Sequence, residues 1–351
     1  MKLSGHGWIL AKIVYSKMKG ALVRILSFSS VFSSIYYAFF SRAFRREQRA
    51  VVAGLLTHMN HLKQDSSYFL LRRNVHRIEK GLIKPERRAI FAREYIGETV
   101  DYYSRCLDGC PEDSRPREFS WATDVLHQYF DVVGNDPLVN KARDQFMRIA
   151  PQETGKSVPY ARGKVTSPVS QEDLLSLVQQ RKSVRTFLQQ PVPRELVDKA
   201  LQVARFSPSS CNRQPMHYRI FDEEPLLRDV ANLPLGAVGL ADNIPMICAL
   251  TGDLSAYFYE RDRHSIYVDA CLSAMLFMLA LETVGLASCP LNWAEIDTLD
   301  RKFEKLVGLP THERGILFIA IGYPDPEGLV AYSEKKDMDG LRSYNKVSRG
   351  E

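Results

Sequence analysis

Apolar residues recur at three- and four-residue spacing through the first half of the chain, and the rhythm changes beyond residue 168. Side chains three and four positions apart share one face of an α-helix, so the pattern predicts helices over 46–61, 70–81, 85–106, 120–133 and 138–148. Pro111 and Pro116 interrupt it and predict a loop over 111–117. No strand-like alternation occurs in this half. Residues 155–168 hold Gly, Pro, Ser and Lys without periodicity and read as a linker. Beyond it helices and strands mix. Ser170 stands three before Asp173 and ahead of Leu174, Leu175, Leu177 and Val178, a capping signature that predicts a helix over 170–181. A second helix is predicted over 193–206. Residues 217–221 and 246–251 read as strands, and GILFIAIG at 315–322 as a buried one. The stretch 265–285 is apolar almost all round, interrupted by Asp269 and Glu282 and ended by Gly285. Inside a mixed region it reads as a buried core or subunit-interface helix rather than a membrane span.

The organisation that follows is a basic, partly apolar tail (1–41), a helical extension (42–150), a linker (151–168) and a mixed domain (169–345). Charge sharpens this division. Of a net +6, residues 1–50 carry nine Lys/Arg and one acid, leaving 38 basic and 40 acidic residues for everything else. The body lacks the basic stripe with interleaved aromatics that nucleic acid would need. Within the tail, 25–40 (ILSFSSVFSSIYYAFF) is uncharged and flanked by Arg24 on one side and Arg42, Arg45 and Arg46 on the other. It is shorter than the ~20 residues a spanning helix needs. Two readings stay open: a helical extension packed on the body or partly disordered, or a peripheral membrane contact through residues 1–41. Of the six cysteines, Cys248, Cys271 and Cys289 lie in apolar runs, and the Cys106/Cys110 pair has no zinc-site partners. A reducing, cytoplasmic compartment is expected.

Three polar segments carry candidate chemistry. In Arg181-Lys182-Ser183-Val184-Arg185-Thr186-Phe187, cations and a hydroxyl occupy alternate positions. Extended backbone projects Arg181, Ser183 and Arg185 to one side, which suits a phosphate. The plain alternative is a surface basic cluster. In Ser207-Pro208-Ser209-Ser210-Cys211-Asn212-Arg213-Gln214-Pro215, the amides of Asn212 and Gln214 offer donor and acceptor together, as the edge of a planar heterocycle requires. The plain alternative is a turn. Around Arg72, Arg73, His76 and Arg77, dense charge reads as a solvated or ion-paired helix face ending at Gly81, with an anion-binding surface as the other reading. His217 and His264 read as a strand residue and a helix-start polar group rather than proton donors.

From Ser170 to about Asn345 the chain resembles the FMN-dependent nitroreductase family. The resemblance rests on RKSVRTF at 181–187, the SPSSCNRQP loop, the long apolar helix, GLASCPLN at 285–292 and the strand that ends in Ile321-Gly322-Tyr323-Pro324. It implies an α+β fold, a central mostly antiparallel sheet flanked by helices, to which this chain adds a mostly α-helical N-terminal extension. It also implies FMN as cofactor, NADH or NADPH as co-substrate, a homodimer, and hydride transfer to an unidentified small-molecule acceptor with no catalytic side chain. The alternative is a flavin-binding scaffold without turnover, docked through the helical half. By resemblance Arg181, Ser183 and Arg185 meet the phosphate, ribityl chain and N1/O2 side of FMN. Ser209, Ser210, Asn212 and Gln214 line the ring, Pro290, Leu291 and Asn292 lie by N5, and Lys335 or Lys336 closes the phosphate site. Two departures from the family pattern stand out. Met216 replaces a frequent Trp, and Trp293 is expected to narrow the space above the flavin or stack on a substrate.

Overall fold

Some helix starts in the N-terminal half are set by local capping. The computed structural model describes residues 17, 20, 23–64, 68–108, 117–152, 155 and 157–346. A short helix α1 (Ser30–Ile35), capped by Ser29, continues into a π-turn at Tyr36–Phe40. Then come α2 (Arg45–Gln64), α3 (Tyr68–Leu82), α4 (Ile96–Asp108), α5 (Arg117–Val132) and α6 (Pro137–Ile149). Asp136 caps α6 by accepting the Leu138 and Val139 N–H groups, and Pro137 sits at the first helical position, where its missing N–H costs nothing. The helix expected over 85–106 is corrected: residues 83–95 are turns and bends. Ala92 takes a left-handed φ of 58°, which no continuous helix allows, and the Phe91 carbonyl beside it accepts from the Tyr129 hydroxyl at 2.8 Å. Most of the loop expected over 111–117, and Cys110 with it, lies outside the described residues.

The C-terminal half contains α7 (Gln171–Gln180), α8 (Arg194–Ala204), β1 (Met216–Phe221), α9 (Leu226–Ala231), β2 (Met246–Asp253), α10 (Ser265–Thr283), β3 (Ala287–Asn292), α11 (Asp297–Val307), β4 (Glu313–Gly322) and α12 (Met338–Leu341). Ser170 caps α7 as expected, its hydroxyl accepting the Asp173 N–H. Among the described residues the strands form one antiparallel sheet in the order β1-β2-β4-β3, with a register shift at Leu250/Thr251. The α+β class with a helical N-terminal part is therefore correct. Period-two alternation splits β2 between two cores. Met246, Cys248 and Leu250 pack toward α8 and α10, while Ile247 and Ala249 pack toward α9 and α11. Outside β3 the chain runs extended, bridging Ser183 to Ser288 in parallel and Phe187 to Pro324.

Helix α2 belongs with this sheet by packing. Its Ala50 and Val51 join the core under α8 and α10, and Arg46 pairs with Glu304. A Cβ on Gly54 would meet Leu254 Cβ at 2.7 Å and its backbone carbon at 3.0 Å, so the two backbones touch because position 54 lacks a side chain. Residues 68–150 instead build a separate core around Tyr103, Phe119, Tyr129 and Phe146.

Candidate functional site

The end of α7 and the strip beside β3 create a groove of about 700 Å³. Arg181, Lys182, Ser183 and Arg185 line it from one side and Lys335 from the C-terminal segment. Lys182 joins Arg181, Ser183 and Arg185, so the face is broader than strict alternation predicts. Lys335 lines the groove, and Lys336 is not among the lining residues. Among the described residues none of these four cations has an ion-pair partner. Arg185 donates to the Ser183 carbonyl at 3.3 Å and Lys335 to the Ser333 carbonyl at 2.7 Å. In the groove wall Arg181 Nε is buried without a hydrogen bond, and so is Ser288 Oγ on β3, the bridge partner of Ser183. Burial pushes the Cys289 thiol up, and Arg185 and Arg181 partly oppose it. Burial also raises the Glu282 carboxyl, against the Gln180 amide that donates to it at 3.3 Å and the Arg181 charge.

The 207–215 loop is built on different terms. Cys211, Asn212 and Gln214 adopt left-handed φ values of 52°, 53° and 52°, which cost about 1–2 kcal/mol each for residues with a Cβ. The surroundings hold them there. The Ser210 N–H donates to both oxygens of Asp269, and the Tyr257 hydroxyl donates to the same carboxylate at 2.8 Å. The Gln214 N–H donates to Ser209 Oγ, and its side-chain amide to Asn212 Oδ1 at 2.8 Å. Arg213, 8% exposed, donates to the Ser210 carbonyl and lies over the Tyr257 ring at 4.8 Å. Burial raises the Asp269 carboxyl, opposed by the Tyr257 hydroxyl, the Ser210 N–H and Arg213. Arg213 and Asp269 are site residues that the sequence does not single out, although an acid inside an apolar helix is a visible signal.

Among the described residues the cationic groove and the loop line different cavities. Ser209 and Ser210 line one of about 340 Å³ with His264, Val268 and Leu272, and Gln214 lines another of about 550 Å³ with Arg72, Tyr218 and Ser273. Pro290, Leu291 and Asn292 continue along β3 from the Ser288 bridge. The Leu291 side chain is buried in the core, so toward any ligand this residue has only its backbone to offer. The expectation for Trp293 is corrected. It is buried, stacks on Phe318 with centroids 4.7 Å apart and donates Nε1–H to Asp300 at 2.8 Å. Position 315 is glycine beneath it; a Cβ there would sit 3.1 Å from the indole nitrogen.

The basic face of α3 is mostly satisfied, as the plainer reading expected. Arg72 pairs with Glu118, His76 with Glu79, and Arg77 lies 3.7 Å over the Tyr95 ring. This helix abuts the loop, where Lys80 reaches Cys211 Sγ at 3.9 Å. Burial beside Arg77 and Arg213 lowers the Arg73 pKa.

A family model described as "Nitroreductase family" matches residues 178–242 and 223–323. A Methanothermobacter thermautotrophicus protein provisionally named an NADH dehydrogenase/NAD(P)H nitroreductase is 26% identical over 164 residues, covering 46% of this chain and 82% of that protein. An iodotyrosine deiodinase of Thermotoga neapolitana is 26% identical over 176 residues, covering 43% and 89%. Among solved structures, an FMN-dependent nitroreductase from Clostridium difficile superposes with a TM-score of 0.43 at 21% identity, covering 49% of this chain and 99% of that one.

Proposed function

With its C-terminal half a nitroreductase-family domain, we propose that this chain is an FMN-dependent oxidoreductase that passes hydride from NADH or NADPH to a small-molecule acceptor and works as a homodimer. The cationic groove carries the reading. Arg181, Lys182, Arg185 and Lys335 converge on a lining that holds one carboxylate, Glu334, a surplus of positive charge that an anionic ligand relieves. The donor set fits a phosphate with a hydroxylated chain: Arg181, Ser183 and Arg185 line the groove together, and Arg181 Nε is a buried polar atom still lacking a partner. The matched relatives bear names of different activities, so the acceptor stays unspecified.

Bound FMN would supply the hydride chemistry itself. The task of the polypeptide is to bind and orient. Arg181 and Arg185 offer planar forks of donors for phosphate oxygens, Lys335 adds a point charge, and Ser183 adds a neutral hydrogen bond. Asn212 and Gln214 present paired amide donors and acceptors from a backbone already locked by Asp269 and Ser209, so little ordering remains on binding.

Dimerisation would unite the two halves of the site. Val268, Leu272 and Met275 are exposed at i, i+4 and i+7 on α10. Met275 lines the cationic groove, whereas Val268 and Leu272 line the cavity beside Ser209 and Ser210. Pairing this stripe with its copy in opposite directions would set the groove of one protomer against the loop of the other.

Purified protein is expected to be yellow, with a flavin band that bleaches anaerobically on adding NADH or NADPH. A colourless, folded protein that takes up no added FMN overturns the reading. Colour that neither nicotinamide bleaches would favour a flavin-binding scaffold instead.

A further inference from the structure

We propose that residues 24–45 form a foot that lies in the surface of an anionic lipid bilayer. None of the residues of α1 or of the π-turn after it is buried. Phe28 is 89% exposed and Phe39 77%, and Ile25, Val31, Phe32 and Phe40 are exposed beside them. The shape is held from within. Tyr37 packs on Phe44 at 4.4 Å and Tyr36 stacks on Phe40 at 6.4 Å. The hydroxyls of Ser27, Ser33 and Ser34 donate to the carbonyls of Arg24, Leu26 and Ser30. These serines therefore hide their polarity in the backbone and leave an aliphatic and aromatic surface. A helix this short is marginal in water without an apolar partner, and the described residues bury no side chain of it.

Length and charge choose the partner. The uncharged run 25–40 is too short to span a bilayer, so it lies in the plane of the interface. Arg24, Arg42 and Arg45 are exposed at its ends, and the first acid after them, Glu47, faces Arg263 at 3.8 Å. A second copy of this surface would bring the same arginines face to face, whereas anionic headgroups neutralise them. The foot is also attached firmly. One residue beyond it, Arg46 is buried against Glu304, and Ala50 lies in the core.

Flotation with vesicles tests this on the full chain. The protein should float with equimolar phosphatidylcholine and phosphatidylglycerol, and far less with phosphatidylcholine alone or in high salt. Phe28→Ser/Phe39→Ser/Phe40→Ser should lower partition by about tenfold or more, as loss of three interfacial anchors implies. Arg24→Gln/Arg42→Gln/Arg45→Gln should remove the preference for the anionic vesicles. Circular dichroism should be unchanged in both variants, because the altered side chains touch no core. Equal flotation of wild type and the phenylalanine variant, or flotation with neither vesicle, overturns the proposal. So does an oligomer that the phenylalanine variant dissolves while vesicles are never bound, since the face would then be a contact between copies.

Discussion

The 181–185 strip and the 207–215 loop are both polar segments beside the same long helix, yet they are prepared in opposite ways. The strip keeps its charge largely unspent: four cations line one groove against a single carboxylate, Glu334, and among the described residues none of the four is in an ion pair. In the loop, Asp269, Ser209 and Arg213 satisfy the backbone and lock three left-handed residues. One region is suited to capture by charge, the other to recognition by fixed shape. The first should therefore govern how much ligand is held, and the second how precisely and at what cost in stability.

The largest effect should come from the strip. Arg181→Ala/Arg185→Ala is expected to weaken FMN retention on the order of a hundredfold, since hydrogen bonds to charged groups contribute about 1.5–3 kcal/mol each. Thermal stability without FMN should barely change; equilibrium dialysis and melting curves separate the two. In the loop the weights reverse. Asp269→Ala leaves the Ser210 N–H and the buried Tyr257 hydroxyl unpaired and should cost about 3 kcal/mol in urea unfolding. A stable Asp269→Ala protein would mean that the loop is not held as described.

Asp269 also gives the loop a pH signature. Its folded pKa is raised by burial, so the folded state takes up this proton at higher pH than the unfolded chain does. That contribution to stability is fully present below the unfolded carboxylate pKa and is lost as pH rises through the raised value. The difference in unfolding free energy, wild type minus Asp269→Asn, should therefore grow as pH falls from neutral toward 4, the ordinary aspartate range. A difference independent of pH would reject this. The smallest effect contrasts glycine substitutions. Cys211→Gly should stabilise by up to about 1 kcal/mol by relieving a left-handed Cβ, whereas Ser183→Gly, in extended backbone, should destabilise by about 0.5–1 kcal/mol.

Local chemistry was legible in the sequence, and tertiary arrangement less so. The Ser170 cap and the strand at 315–322 announce themselves, because capping and a continuous apolar run each depend on neighbours in the chain. The end of the helix expected to start at residue 85 also holds, but its beginning fails: the backbone turns left-handed at Ala92, in a segment tied to Tyr129 from another helix. Trp293 looked like a site residue by position, yet its burial depends on Phe318 from β4 and on a glycine at 315. The amphipathic helix α11, stopped by Gly308 in a left-handed conformation, was readable and went unread. The strip and the loop were recognised as chemistry, but their separation into different cavities depends on where α10 sits between them.

The seam at Gly54 bears on biosynthesis. Arg46 and Glu304 stand 258 positions apart, so α2 leaves the ribosome long before its docking surface exists. At synthesis rates of about 5–20 residues per second, that delay is on the order of 13–50 s. Until those later residues emerge its apolar face lacks its native cover, a wait that a chaperone can bridge.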